Sequence, residues 1–160
     1  MAILNNNEAL NAAKAFLMEQ KLMTLSTVHQ NNQPHSATLL FTIDAELNFY
    51  FLSHKTSLKT DNINQNSSVA GSVFELGSWY VQFHGTTEQV QGKLFDSAID
   101  KIINQADKLK DFWPPLFMKI DPEYVVYKIT PTWLRLTDLS TSTITSNPMP
   151  VYTLIGSDAK

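Results

Sequence analysis

The stretch SHKTSLKTDNINQNSSVAGSVFE, residues 53–75, decides how the chain is read. It starts where the aromatic run LNFYFLS (47–53) ends, passes through a polar turn and a short helical segment at 57–66, and leaves into SVAGSVFEL (68–76). Thr56 or Ser57 is placed to cap that helix, which puts Lys59 in its first turn, beside N–H groups that carry partial positive charge. An acid is the side chain favoured there, by up to about 1 kcal/mol. Lys55 adds to the same polarity. Two readings are open. Either both lysines are solvated and screened by Asp61, or a guest anion neutralises a cradle of helix N–H groups, serine hydroxyls and lysines of the kind that holds phosphate.

Outward from this stretch the periodicities are those of a small β protein with helices. Ala9, Leu10, Ala13, Phe16 and Leu17 recur at helical spacing within residues 8–20, with Asn7 as the expected N-cap. LMTLSTVHQ (22–30) and HSATLLFTID (35–44) are β-rich runs joined by NNQP, and LNFYFLS follows a short Asp44-Ala45-Glu46 turn, so three strands form an antiparallel meander. After residue 66 come strands at 68–76 and 79–90, with Gly71 and Gly85 as expected bulges or points of close approach. Phe95, Ala98, Ile99, Ile102, Ile103, Ala106 and Leu109 mark a helix over 94–109 that Trp113-Pro114-Pro115 must end. Its other face, with Asp96, Asp100, Lys101, Asp107 and Lys108, reads as solvation only. EYVVYKITPTWLRLTDL (123–139) is a final strand, or a bent pair around Pro131. STSTITSN (140–147) is a loop, and the tail PMPVYTLIG is too apolar to be simply solvated.

The strands lack regular crossover helices, so a parallel α/β sheet is excluded in favour of a mostly β, α+β fold: a six-stranded antiparallel barrel with peripheral helices. At 160 residues the chain makes one domain, 1–160, with its core at about 8–139. A net charge of −3 argues against nucleic acid as a partner. No cysteine is present, so there is no disulfide framework and no thiolate site. Charges interrupt the first twenty residues and no later apolar run reaches membrane-spanning length, so a cytoplasmic protein that does not enter the membrane is expected.

The ordered set of motifs resembles the pyridoxamine 5'-phosphate oxidase-like, FMN-binding split-barrel superfamily. Ser57, Lys59, Asn62, Ile63 and Asn66 occupy the places of its S-x-K-x-x-N-hydrophobic-x-x-N segment, and YVQFHGTTEQV (80–90) is similar to the strand that follows. VQFHG, the amphipathic helix and YVVYKITPTWLRLTD look most like the small YhbP-like branch. The resemblance implies a homodimer with FMN at its interface. It implies that Ser53, Ser57 and Lys59, flanked by His54 and Lys55, hold the phosphate. Thr38, Leu39 and Leu40 would lie on the strand whose backbone meets the ring edge. Trp79, Tyr80 and Gln82 would approach from the other subunit, and Trp133 would form a wall for the ring. The tail 149–155 would pack across the interface.

The chain departs from the true oxidases in three places. Leu58 stands where they carry a second cation, HSATLLFTI lacks their arginine and lysine, and their C-terminal arginine-bearing substrate segment has no counterpart. Pyridoxal phosphate synthesis is therefore not the expected activity. Two functions remain: a flavin oxidoreductase acting on a small molecule, in which no residue has an evident proton-transfer role, and a non-enzymatic dimeric module that holds flavin or haem. His29, His35, His54 and His84 show no metal-ligand spacing, and Trp79, Tyr80 and Phe83 fit either a ring wall or a core and dimer surface. No nucleophile elbow and no glycine-rich phosphate loop occurs.

Overall fold

The structure is a computed structural model that describes residues 4–106, 122–140 and 149–157. Its elements, in chain order, are α1 (Asn6–Glu19), β1 (Leu22–Val28), β2 (Pro34–Ile43), β3 (Phe49–His54), α2 (Leu58–Gln65), β4 (Ser68–Phe74), β5 (Trp79–Val90), α3 (Lys93–Ala106), β6 (Tyr124–Asp138) and β7 (Val151–Ile155). All strand pairings are antiparallel, in the order β3-β2-β1-β4-β5-β6-β7, and a further pairing of β3 with β6 closes the first six strands into a barrel. The expected six-stranded antiparallel barrel with helices is thus what the chain forms, with a seventh strand added to it.

Alternation within each strand decides which side chains fill the barrel. Met23 and Leu25, Phe41 and Ile43, Phe49 and Phe51, Val81 and Phe83 all point inward and are buried. The ring of Phe49 stacks on Phe83 with centroids 4.2 Å apart, and tilts against Phe41 at 5.6 Å. Helix α1 adds Ala9, Ala13, Phe16 and Leu17 to this same core. Tyr50 and Val126, one residue out of phase, face outward and form a second cluster with Ala98 and Ile99 of α3.

Strand β6 carries the closure. Its first half pairs with β3 over Tyr124–Ile129, its second half pairs with β7 over Leu134–Thr137, and β5 runs along its other edge. Between the halves lies Pro131, which has no N–H to give a ladder. The β5–β6 register shifts between His84 and Gly85, and Gly85 then stands opposite Pro131. A Cβ on Gly85 would collide with the backbone of Thr130 and Pro131. The sequence alternative of a bent pair around Pro131 therefore resolves into one continuous strand bent at a bulge. Gly71 is the other close approach: a Cβ there would strike the Phe83 ring and the carbonyl of Thr24.

Some boundaries differ from those expected. The cap of α1 is Asn5, not Asn7: Asn5 Oδ1 accepts from the N–H groups of Asn7 and Glu8 at 3.0 Å each, and Glu8 answers by accepting from the Asn5 N–H at 2.8 Å. Strand β3 starts at Phe49 because Leu47 is left-handed (φ 65°) in a turn that Asp44 holds through the N–H groups of Glu46 and Asn48. The tail finds its backbone partner in β6 of its own chain, where the β3 pairing has ended, and forms a seventh strand there. Residues 107–109, Trp113-Pro114-Pro115 and most of 140–147 lie outside the described residues. No described helix is long and apolar enough to cross a membrane.

Replacing Gly85 with Ala is expected to destabilise the protein by roughly 1–3 kcal/mol, since the obstructing atoms are backbone and cannot rotate away. Equilibrium denaturation of Gly85→Ala beside Gly77→Ala checks it. Gly77 has nothing within 4 Å of its Cβ position, so only its positive φ (76°) is penalised there.

Candidate cofactor-binding site

Helix α2 begins at the end of β3, and hydroxyl groups fix the junction. Ser57 is its N-cap, extended at φ −78°, ψ 147°, and its Oγ accepts from the Thr60 N–H. Ser53 Oγ lies 2.9 Å from Ser57 Oγ and 2.8 Å from Thr60 Oγ1, while Thr60 Oγ1 donates to the carbonyl of His54 at 2.9 Å. The helix is pinned to the barrel by Asn62 Nδ2, which donates to Thr27 Oγ1, and by Tyr127, whose OH donates to Asn64 Oδ1. Burial pushes the Tyr127 phenol above its usual pKa, so it remains a neutral donor.

Lys59 sits in the first turn of this helix, half-buried, with no hydrogen bond or ion pair among the described residues. Burial lowers its pKa, the signature of an ammonium that has lost water without gaining a carboxylate. Ser53, in contrast, is only 2% exposed, and its hydroxyl is engaged by its neighbours. It positions Ser57 and does not face outward. Lys55 is exposed, with its backbone N–H given to Glu123, and His54 Nδ1 is met by the N–H and hydroxyl of Thr56 while its ring meets Tyr124 edge-on.

The second part of the site is the outer face of the sheet. Register places Thr38, Thr24, Ser72, Gln82 and Arg135 in one cross-strand file from β2 to β6, with Thr153 of β7 beyond. An adjacent file holds Leu22 and Leu40 at one end and Phe74, Tyr80, Thr137 and Val151 at the other. An open cleft of about 590 Å³ touches Thr38, Thr24, Ser72 and Phe74 where α1 hands over to β1. The Phe41 N–H donates to the carbonyl of Lys21, so odd-numbered residues of β2 bond to β1 and the backbone groups of Thr38 and Leu40 point to the other edge. That edge is paired by β3 only at Phe41–Ile43, which leaves the barrel split beside Thr38 and Leu40.

On β6, Trp133 stacks on His84 with centroids 5.4 Å apart and planes 8° from parallel, and the Arg135 guanidinium lies over the Trp133 ring at 5.1 Å. Arg135 Nη2 donates to Gln82 Oε1 at 2.7 Å. Leu39 and Trp79 belong to the inward-facing set, so they are not brought together with the side chains of Thr38 and Gln82. Among the described residues no group of three His, Asp or Glu side chains could hold a metal ion.

A family model described as pyridoxamine 5'-phosphate oxidase matches residues 9–138, which spans α1 through β6. The chain belongs to the pyridoxamine 5'-phosphate oxidase family. No curated protein matches it. Among solved structures it resembles general stress protein 26 from Bacillus anthracis, at 24% identity and a TM-score of 0.64, over 79% of this chain and 92% of that one. It also resembles a protein of Clostridium acetobutylicum related to general stress protein 26, of the pyridoxinephosphate oxidase family, at 12% identity and a TM-score of 0.63, over 94% and 97% of the two chains. A third is HutZ, the heme storage protein of Vibrio cholerae, at 17% identity and a TM-score of 0.59, over 76% and 88%. At these identities the structures show a shared fold.

Within the family frame, Arg135, Thr24 and Ser72 are site candidates that sequence reasoning passed over. For Arg135 the signal was present: it stands two residues after Trp133 on a strand and so shares its face.

Ser57→Ala removes the cap of α2 and one member of the hydroxyl cluster, and is expected to cost about 1 kcal/mol, whereas Ser57→Gly should cost only a few tenths through the cap itself. Chemical denaturation of the two variants side by side, with the ligand-free protein, measures the difference.

Proposed function

We propose that the protein binds FMN at the interface of a homodimer and serves as a flavin-dependent oxidoreductase for a small molecule. The observation that carries this reading is Lys59: a half-buried ammonium with no carboxylate partner among the described residues, two residues after a serine cap, at the start of a helix. Its charge and the N-terminal N–H groups of α2 are matched to a phosphate. FMN fits the remaining residues as well. The backbone groups of Thr38 and Leu40 at the split edge offer both donors and acceptors to a polar ring edge, and Tyr80 offers aromatic surface.

Spacing and apolar exposure support the dimer. Thr38 and Gln82 share a file but stand three strands apart, about 14 Å at the usual interstrand distance. One ring edge cannot reach both in a single subunit, so the second set comes from a second copy. Leu22, Phe74 and Val151 form an apolar margin beside the polar file, with Phe74 66% exposed, as suits a face that another copy covers.

When bound, FMN supplies the hydride and electron chemistry. The chain's own residues bind and orient: Lys59 and Ser57 hold the phosphate, Ser53 and Thr60 fix Ser57, and the β2 edge sets the plane of the ring. No acid or base of the chain is assigned a proton. A second reading, a non-catalytic module that stores or carries a flavin or haem, is favoured by the absence of a cation on β2 and by the likeness to a protein that stores heme. Turnover of a reduced nicotinamide by the FMN-loaded protein separates the two.

Lys59→Ala is expected to weaken FMN binding by the roughly 1.5–3 kcal/mol of a charge-assisted hydrogen bond and to leave riboflavin binding unchanged. The pH dependence has a definite sign. Below the lysine's depressed pKa the ammonium is present and the grip is complete. As the pH rises through that value, short of the ordinary 10.5, FMN affinity falls while riboflavin affinity does not. Fluorescence titrations with both flavins across neutral and alkaline pH read each effect. Phe74→Glu should convert the dimer to a monomer, as followed by sedimentation equilibrium.

A further inference from the structure

We infer that Arg135, contributed with Gln82 by the second copy, is the residue that reads the polar edge of the bound ring, in place of the cation that β2 lacks; this rests on the FMN reading above. Three features of Arg135 lead there. It has no carboxylate among the described residues to neutralise it. Its Nε is buried and has no hydrogen-bond partner, although the neighbouring Nη2 is well bonded to Gln82. Its guanidinium plane is held over Trp133, which is itself braced by the parallel ring of His84. A guanidinium has five donors in a rigid fork suited to planar acceptors, and here one of them is spent and the fork is already oriented. Such a group is prepared for a partner that brings acceptor atoms in a plane.

The position separates this role from phosphate binding. Lys59 and Ser57 stand at the start of α2, where β3 ends, whereas Arg135 stands in the outward-facing file of the sheet beside Gln82. The β2 segment that carries Thr38 and Leu40 offers hydroxyl and backbone groups but no lysine, arginine, aspartate or glutamate from His35 to Ile43. Arg135 is therefore the charge in the file of Thr38, Thr24, Ser72, Gln82 and Thr153. A flavin presents two ring carbonyls to such a fork, and a fixed positive charge at that edge also favours the reduced, more electron-rich ring. Arg135 would thus set both which planar ligands are accepted and the potential at which a flavin is reduced.

The test titrates wild type, Arg135→Met, Arg135→Lys and Lys59→Ala with FMN and with riboflavin, and measures the midpoint potential of the bound flavin against a reference dye. If Arg135 reads the ring, Arg135→Met weakens FMN and riboflavin by the same factor, on the order of tenfold, and shifts the potential to a more negative value. Lys59→Ala weakens FMN alone. Loss of FMN binding with riboflavin binding intact in Arg135→Met overturns the inference, because Arg135 would then read phosphate. Unchanged affinities and potential overturn it equally. A wild-type protein that binds neither flavin overturns the FMN reading itself and this inference with it, an outcome distinct from a wild type that binds and a variant that matches it. Should Arg135→Met fail to fold by circular dichroism, Arg135→Lys, which keeps the stem and charge and loses the fork, is judged by the same criteria: equal weakening of both flavins supports the role, and none removes it.

Discussion

The fold depends on β6 being able to bend at Pro131. A barrel of six strands closes only if its last strand meets β3, yet the far half of the same strand has moved away from β3 and is paired by β7 instead. A straight ladder could not serve both partners. Proline removes one N–H from the ladder, and the register shift opposite Gly85 absorbs the misfit, so strand-breaking residues become the means of closure. Glycine is required at 85 because the Thr130 and Pro131 backbone occupies the place of a side chain.

The bend also orients the functional face. Beyond the bulge, Trp133 and Arg135 face outward and Leu134 and Leu136 inward, which sets the aromatic ring against His84 and the guanidinium against Gln82. A slip of one residue would reverse every one of these. At the other part of the site, α2 is held by polar contacts more than by apolar ones: Ile63 enters the core, but Asn62, Thr60 and Ser53 are buried polar groups tied to the barrel through hydrogen bonds. Such a network is intolerant of displacement, because each lost partner strands a buried polar atom. The first turn of α2 is therefore a rigid place on which to mount a cation.

The chain has more acids than bases, and still two of its cations, Lys59 and Arg135, lie partly buried without a carboxylate among the described residues. Water alone would leave both better solvated. Arg135 is held in place by Gln82 and Trp133, which do not neutralise it, and Lys59 is placed by the first turn of α2.

Much of the fold was legible in the sequence by itself. The alternation in 22–28, 35–43 and 79–90, the helical period after Leu94, and the S-x-K-x-x-N segment after an aromatic strand determined the order of elements, the antiparallel class and the family resemblance, because these signals are local and repeat over several residues. Lys59 and Ser57 were legible for the same reason: cap and first turn are neighbours in the chain. What only the tertiary structure decided depends on which strands meet. Asn5 displaces Asn7 as the cap because its reciprocal partner Glu8 is in reach. The apolar tail becomes β7 because β3 leaves the edge of β6 free past Ile129. Ser53 turns inward, Leu39 and Trp79 join the core side of their strands, and Arg135 enters the file of Thr38 and Gln82 from a position 53 residues beyond Gln82 in the chain. Register between distant strands is set by the packing of the whole barrel, and no window of sequence contains it.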